Sequence, residues 1–361
     1  MKKEIIVEGP CGIKVLDGEI SILGIRIGKG ESIEITRNKT YTIVYDSSTK
    51  IDMNCKIIVD NIFLDWDQKA EEIFNTGGTI LLLGDTDSGK TYFINLISNI
   101  AEPHVKIIDS DVGQSSLFLP SFVAELRPNM KSLSVEELGY EKIDFFGDIT
   151  PSINPKLHVE MLVHLYESTP SEKVVAIDTD GWVKGYKAML HKFELIYSID
   201  PDYIVIFDNK MRDLLPTRYR KNVITLKGIG FFHKNRSQRR MYRISKYKDY
   251  FKRAQIIRVQ SEDLLGYRIS DVLYSGWGDY LQIISEEPCI GYYTSLDILR
   301  GALLGVVKKR EVIGAALLKD IKGDQLEILS NITDFAGLIL GYISLNDRFE
   351  ERRIRFRRCK D

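Results

Sequence analysis

Residues 84 to 91 read Gly84-Asp85-Thr86-Asp87-Ser88-Gly89-Lys90-Thr91. The pattern G-x-x-x-x-G-K-[ST] suits a loop whose backbone N–H groups wrap phosphate oxygens. In that chemistry Lys90 reaches the β- and γ-phosphates, and the Thr91 hydroxyl holds a magnesium ion. The flanks fit: Thr79-Ile80-Leu81-Leu82-Leu83 reads as a buried strand, and Tyr92-Phe93-Ile94-Asn95-Leu96-Ile97 as the first turns of a helix whose N-terminus favours anions. Binding of a nucleoside triphosphate is therefore predicted, with nucleotide contacts running from Gly84 through Tyr92. The acids Asp85 and Asp87 are unusual beside an anion site, and Asp87 is a candidate partner for Lys90 while the loop holds no phosphate.

Three further segments carry groups suited to phosphoryl transfer. Asp109-Ser110-Asp111-Val112-Gly113-Gln114 follows the next apolar run, Val105 to Ile108. Asp111 there can bind the metal or take a proton from an attacking hydroxyl, and Asp109 is a second candidate for the metal. The bland alternative is that both acids only cap a strand end. Asp178-Thr179-Asp180-Gly181-Trp182-Val183-Lys184-Gly185 ends another apolar run. A tight turn at Gly181 would present Trp182 for stacking on a nucleobase; the alternative is an ordinary core tryptophan. Arg236-Ser237-Gln238-Arg239-Arg240-Met241-Tyr242-Arg243 puts Arg239 and Arg243 one helical turn apart, a lid-like pair for the γ-phosphate or simply a solvated basic face. Thr150, in Phe145-Phe146-Gly147-Asp148-Ile149-Thr150-Pro151, either touches a phosphate or caps the following helix. His104, His158, His164, His191 and His233 have no ligand spacing and are given no role.

Positioning these residues requires strands alternating with helices. The apolar runs at 80–83, 105–108, 174–177 and 203–207, with helical stretches between them such as 156–166 and 185–198, predict an α/β domain with a mostly parallel sheet. Ligands of such sheets bind at the carboxyl ends of the strands. Residues 1–75 show short alternating segments broken by Gly, Asp, Asn and Ser, which predicts an N-terminal β domain. Residues 76–262 form the nucleotide domain, and 263–361 return to short strands as a C-terminal β-rich domain. The Arg-rich tail from Arg348 to Lys360, with Phe349 and Phe356, is read as a solvated terminal strand.

Composition narrows the remaining classes. The 361 residues carry a formal net charge of −1, so no global basicity advertises nucleic acid. Cys11, Cys55, Cys289 and Cys359 lack C-x-x-C spacing, which predicts neither a disulfide framework nor a zinc site and points to a reducing compartment. The apolar stretch after the N-terminus is too short for a signal peptide, and no run reaches the length of a membrane span.

Motif type, order and spacing together resemble the P-loop polynucleotide 5′-hydroxyl kinase family, archaeal members most. The carriers are G-D-T-D-S-G-K-T, D-V-G-Q, F-G-x-x-x-P, T-x-G-W-V-x-G and R-x-x-x-R. The resemblance implies transfer of the ATP γ-phosphate to the 5′-hydroxyl of RNA, with DNA also open as acceptor. It implies Lys90 and Thr91 on ATP and magnesium, and Asp111 as general base. It further implies Gln114 near substrate or metal water, and Thr179, Gly181 and Trp182 as a clasp on the terminal nucleotide. Arg239 and Arg243 become lid arginines and Thr150 an acceptor contact. A cytoplasmic location follows if the source is archaeal. Two other readings stand beside it: an ATP-bound scaffold of an RNA-processing complex, and a small-molecule or nucleoside kinase.

Overall fold

Alternating apolar residues dictate the N-terminal strands. β1 (Lys2–Glu8), β2 (Cys11–Asp17), β3 (Glu19–Ile22), β4 (Ile25–Gly28), β5 (Ser32–Ile35), β6 (Thr40–Asp46), β7 (Lys50–Met53) and β8 (Lys56–Val59) form two antiparallel sheets, ordered β4-β3-β6-β1-β8 and β5-β2-β7. Ile13 and Val15 of β2 are buried while Lys14 between them is exposed, the period-two pattern of a sheet with one wet face. The computed structural model describes residues 2–37, 39–168, 172–228, 234–260, 292–293, 299–322, 325–354 and 357–358.

One expectation fails in this region. Cys11 and Cys55 form a disulfide across a sequence separation of 44, with Cα atoms 4.9 Å apart. Register is the reason: β2 pairs antiparallel with β7, Ile13 opposite Met53, and stepping two residues outward along each strand arrives at the two cysteines. Their distance in sequence concealed a cross-strand adjacency. Cys289 and Cys359 lie outside the described residues.

The chain continues as α1 (Trp66–Thr76), β9 (Gly78–Leu83), α2 (Lys90–Ala101), β10 (Val105–Asp109), β11 (Phe122–Leu126), β12 (Lys142–Phe145), α3 (Pro155–Glu167), β13 (Val174–Asp178), α4 (Tyr186–Ile199), β14 (Tyr203–Ile206), α5 (Asn209–Leu214), β15 (Val223–Thr225) and α6 (Arg236–Phe251). It ends in β16 (Gln255–Gln260), β17 (Tyr292–Tyr293), β18 (Ala302–Lys308), β19 (Glu311–Lys322), β20 (Gln325–Ser330), β21 (Gly337–Leu345), β22 (Glu351–Arg353) and β23 (Arg357–Arg358). These residues fall into two compact units.

The first unit comprises Met1–Ile108, Leu126–Gly139 and Thr169–Phe232. Its strands run in the order β15-β14-β9-β13-β10, with β9 parallel to both β13 and β14 and β15 parallel to β14. Ile80 to Leu83 and Ile204 to Ile206 have no solvent exposure, as central parallel strands covered on both faces require. The N-terminal sheets are fixed to this core by side chains. Asn99 of α2 donates to the Leu23 carbonyl at 2.9 Å, and the Tyr92 hydroxyl accepts the Thr42 N–H at 3.0 Å.

The second unit comprises Asp109–Glu125, Tyr140–Ser168 and His233–Asp361. Its strands are antiparallel: β11-β12-β19-β18-β21-β22, with β20 on β19 and β16 on β20. Leu304, Val306, Ala316, Leu318, Ile328 and Leu340 pack together as its buried core. β19 runs beyond its apolar stretch Val312 to Leu318, because its hairpin with β20 continues through the charged residues Asp320 and Lys322.

Candidate active site

In the first unit, the loop between β9 and α2 adopts the geometry its glycines predict. Gly89 has φ of 109°, a conformation side-chain-bearing residues avoid, and α2 starts immediately after it at Lys90. Gly89 has a second duty. A Cβ there would lie 2.6 Å from Cη2 of Trp66, a buried indole packed edge-on against Tyr92, Phe93 and Phe207. Lys90 is buried and its Nζ donates to the carbonyls of Gly84 and Asp85, each at 3.0 Å. Asp85 of this loop has a lysine partner from outside it: Lys184 approaches it at 2.5 Å. Burial alone would raise the Asp85 pKa, but Lys184, the Thr86 N–H and Lys90 outweigh it and hold the carboxylate below its ordinary range.

The strand neighbouring β9 supplies a carboxylate that the sequence reading passed over. Asp178, the buried last residue of β13, accepts the Thr91 hydroxyl at 2.8 Å. The signal was present as Val174-Val175-Ala176-Ile177-Asp178, an apolar strand ending in an acid. Thr179 is fully buried and donates to the Leu82 carbonyl at 2.6 Å, so its side chain binds the two strand ends together. Gly181 is required sterically: a Cβ would meet Thr86 Cγ2 at 2.4 Å and Thr86 N at 2.7 Å. Trp182 is half-buried, its N–H donates to Asp180 at 2.7 Å, and its ring lies 5.6 Å from that of His191 on α4. Lys90, Thr91, Asp178 and the 179–184 loop thus share one site on this unit.

In the second unit, Asp109 organises its own loop. One oxygen accepts Ser115 Oγ (3.0 Å), Ser116 N (2.6 Å) and Leu117 N (3.1 Å); the other accepts Asp111 N (3.1 Å). Burial is the largest influence on Asp109 and pushes its pKa up, against the pull of those donors. Asp111 accepts the N–H groups of Gly113 and Gln114, each at 3.0 Å, which orients its carboxylate over the turn. His158, given no role from sequence, is buried on α3 with Nε2 2.8 Å from the Ser110 carbonyl, bracing the backbone between the two acids. Thr150 serves as a cap: its Oγ1 accepts Ser152 N at 3.4 Å, and its own N–H goes to Asp148 at 3.0 Å. His233 lies outside the described residues.

Helix α6 opens with a capping box, Asn235 with Gln238, and leans on the Asp111 loop along one face. Tyr242 donates to the Ser115 carbonyl (3.0 Å), Lys246 to Ser116 (3.2 Å) and Tyr247 to Pro120 (3.2 Å). Arg243 pairs with Glu351 of β22 and Arg240 with Glu350 at 3.3 Å, while Arg239 sits half-buried one turn before Arg243. The second unit therefore brings Asp109, Asp111, Gln114 and the arginine helix into one assembly.

A glycine-rich loop joining a central parallel strand to a helix, with its lysine and threonine in place, defines a P-loop nucleotide-binding domain. More particularly, residues 84–253 match the family model described as the P-loop of the mRNA cleavage and polyadenylation factor CLP1. Similar curated proteins include a polyribonucleotide 5′-hydroxyl-kinase of Pyrococcus horikoshii, 31% identical over 199 residues (52% of this chain, 53% of the relative). Another, from Methanocaldococcus jannaschii, is 25% identical over 299 residues (71% of this chain, 82% of the relative). The chain spans about half the length of the first of these and of the Pyrococcus furiosus kinase. Solved structures of Clp1p with Pcf11p share the fold at a TM-score of 0.63 and 13% identity, covering 95% of this chain and 99% of theirs. Among the described residues no helix is long and apolar enough to cross a membrane.

Proposed function

We propose that this chain is an ATP-dependent polynucleotide 5′-hydroxyl kinase that phosphorylates RNA ends, with DNA ends also open as acceptors. The observation that carries the reading is that the T-D-G-W segment is built onto the phosphate loop: Asp178 holds Thr91, and Gly181 abuts Thr86. A loop so attached can grip an acceptor beside the γ-phosphate. The names of the relatives support the same reaction.

In this reading Lys90 leaves its two carbonyls for the β- and γ-phosphates, and loop N–H groups take the remaining oxygens. The hydroxyl of Thr91 and the carboxylate of Asp178 offer oxygen donors of the kind magnesium prefers, and they would hold it. Magnesium, when bound, neutralises phosphate charge. Asp111 takes the proton of the 5′-hydroxyl, already aligned by the N–H groups of Gly113 and Gln114. Asp109, whose oxygens are engaged within the loop, positions Asp111. Arg239 and Arg243 take the part of lid arginines for the charge that spreads over the γ-phosphoryl group in transfer, Arg243 leaving Glu351 to do so, and Gln114 orients the acceptor. Trp182 stacks on the terminal base without reading its identity. Thr150 stabilises the neighbouring loop as a cap.

Incubation with γ-labelled ATP and matched RNA and DNA oligomers bearing 5′-hydroxyl ends tests this. Label at the RNA 5′ end supports it. ATP binding without turnover points to a scaffold, and labelling of a free nucleoside in preference to oligomers to a small-molecule kinase.

A further inference from the structure

Behind Trp182 lies a charged pair that phosphate chemistry does not require. Lys192 of α4 is fully buried, and its Nζ lies 2.6 Å from Oδ2 of Asp180, itself buried. The other oxygen of Asp180 accepts the Trp182 N–H at 2.7 Å. His191, the residue before Lys192, is buried with its ring 5.6 Å from the Trp182 indole and tilted by 32°. One turn of α4 thus sets both the backbone and the ring of Trp182.

Placing an ammonium and a carboxylate in the interior costs desolvation that an apolar pair of equal volume would avoid, so such pairs are weak devices for stability alone. Their geometry is nevertheless stringent, because a buried charge that parts from its counter-ion is stranded in the interior. Asp180 is short, with two oxygens in fixed directions. Held by Lys192 on one, it presents the other to the Trp182 backbone N–H. We propose that Lys192 and Asp180 are positioning residues that fix Trp182 for acceptor stacking. The proposal rests on the reading of Trp182 as an acceptor contact.

The test replaces both charges by near-isosteres, Asp180→Asn with Lys192→Met, so that no buried charge is stranded. The full chain is labelled with 5-fluorotryptophan and the Trp182 fluorine resonance is assigned with Trp182→Phe. The expected result is wild-type ATP binding, a shifted or broadened Trp182 resonance, and an acceptor KM raised roughly tenfold with kcat within about threefold, the scale of a stacking contact largely lost. An unchanged resonance together with an unchanged acceptor KM overturns the proposal. If the double variant does not fold, Asp180→Asn alone decides, with a smaller shift expected and none being contrary. Trp182→Ala separates the two claims. If it leaves acceptor KM intact, the stacking role fails, and the fluorine resonance alone then judges whether Lys192 and Asp180 fix the indole.

Discussion

Gly89→Ala puts the phosphate loop under a defined load. The backbone at 89 has φ of 109°, and a side chain there costs about 1–2 kcal/mol. The new methyl would also stand 2.6 Å from Trp66 Cη2 and 3.5 Å from Phe207 Cε1. Trp66 is 3% exposed and boxed by three aromatic rings, so it cannot swing away, and overpacking adds about 1–3 kcal/mol. The sum is about 2–5 kcal/mol, relieved only if the loop opens and its N–H groups lose their common focus. At the lower bound, ATP affinity falls by about 30-fold. Titration calorimetry with ATP measures this, alongside a thermal melt. Gly89→Ala combined with Trp66→Leu removes the steric share but not the backbone share, so partial recovery is expected. Wild-type affinity in Gly89→Ala would refute the reasoning, and full recovery in the double variant would refute the backbone half of it.

Further outcomes follow from other parts of the molecule. Replacing Cys11 and Cys55 by serine removes a link across 44 residues, and a chain-entropy argument expects a loss of up to roughly 4 kcal/mol in chemical denaturation under non-reducing conditions. Asp67 titrates near pH 6 in the folded chain, pushed up by burial against the pull of Lys2 and helped by Glu4, Glu71 and Asp65. Its folded pKa exceeds the unfolded value of 3.8, so the native state binds the extra proton and stability falls as pH rises from 4 to 6. Urea melts across that range should show the slope, and Asp67→Asn should flatten it. Arg243 and Glu351 have side-chain exposures of 13% and 7%, so Glu351→Gln strands a mostly buried guanidinium and should lower stability by about 3 kcal/mol, read by thermal melt.

What the sequence revealed and what it hid divide along a physical line. Local chemistry was legible: the phosphate loop between strand and helix, the D-V-G-Q turn, and the arginine helix. Apolar runs announced β9, β13 and β14 because parallel strands buried on both faces leave little freedom of composition. Long-range adjacency was not legible. The Cys11–Cys55 bond depends on the β2–β7 register, which no spacing rule encodes. Lys192 has the composition of a solvated helix residue, and only the tertiary fold turns it inward to meet Asp180. The contacts of Tyr242, Lys246 and Tyr247 with the 115–120 loop span more than 120 residues of sequence and carry no local signal. Thr150 and Asp109 had two readings each, and hydrogen bonds within their own loops favour the local one.

The account turns on Asp111 acting as the base for an RNA 5′-hydroxyl. Single-turnover transfer of γ-label to an RNA 5′ end, wild type against Asp111→Asn with ATP saturating, addresses it most directly. The account predicts transfer by the wild type and a rate at least about 100-fold lower in the variant, with ATP affinity preserved. Equal rates in the two proteins, or no transfer by a wild type that binds ATP, would contradict it.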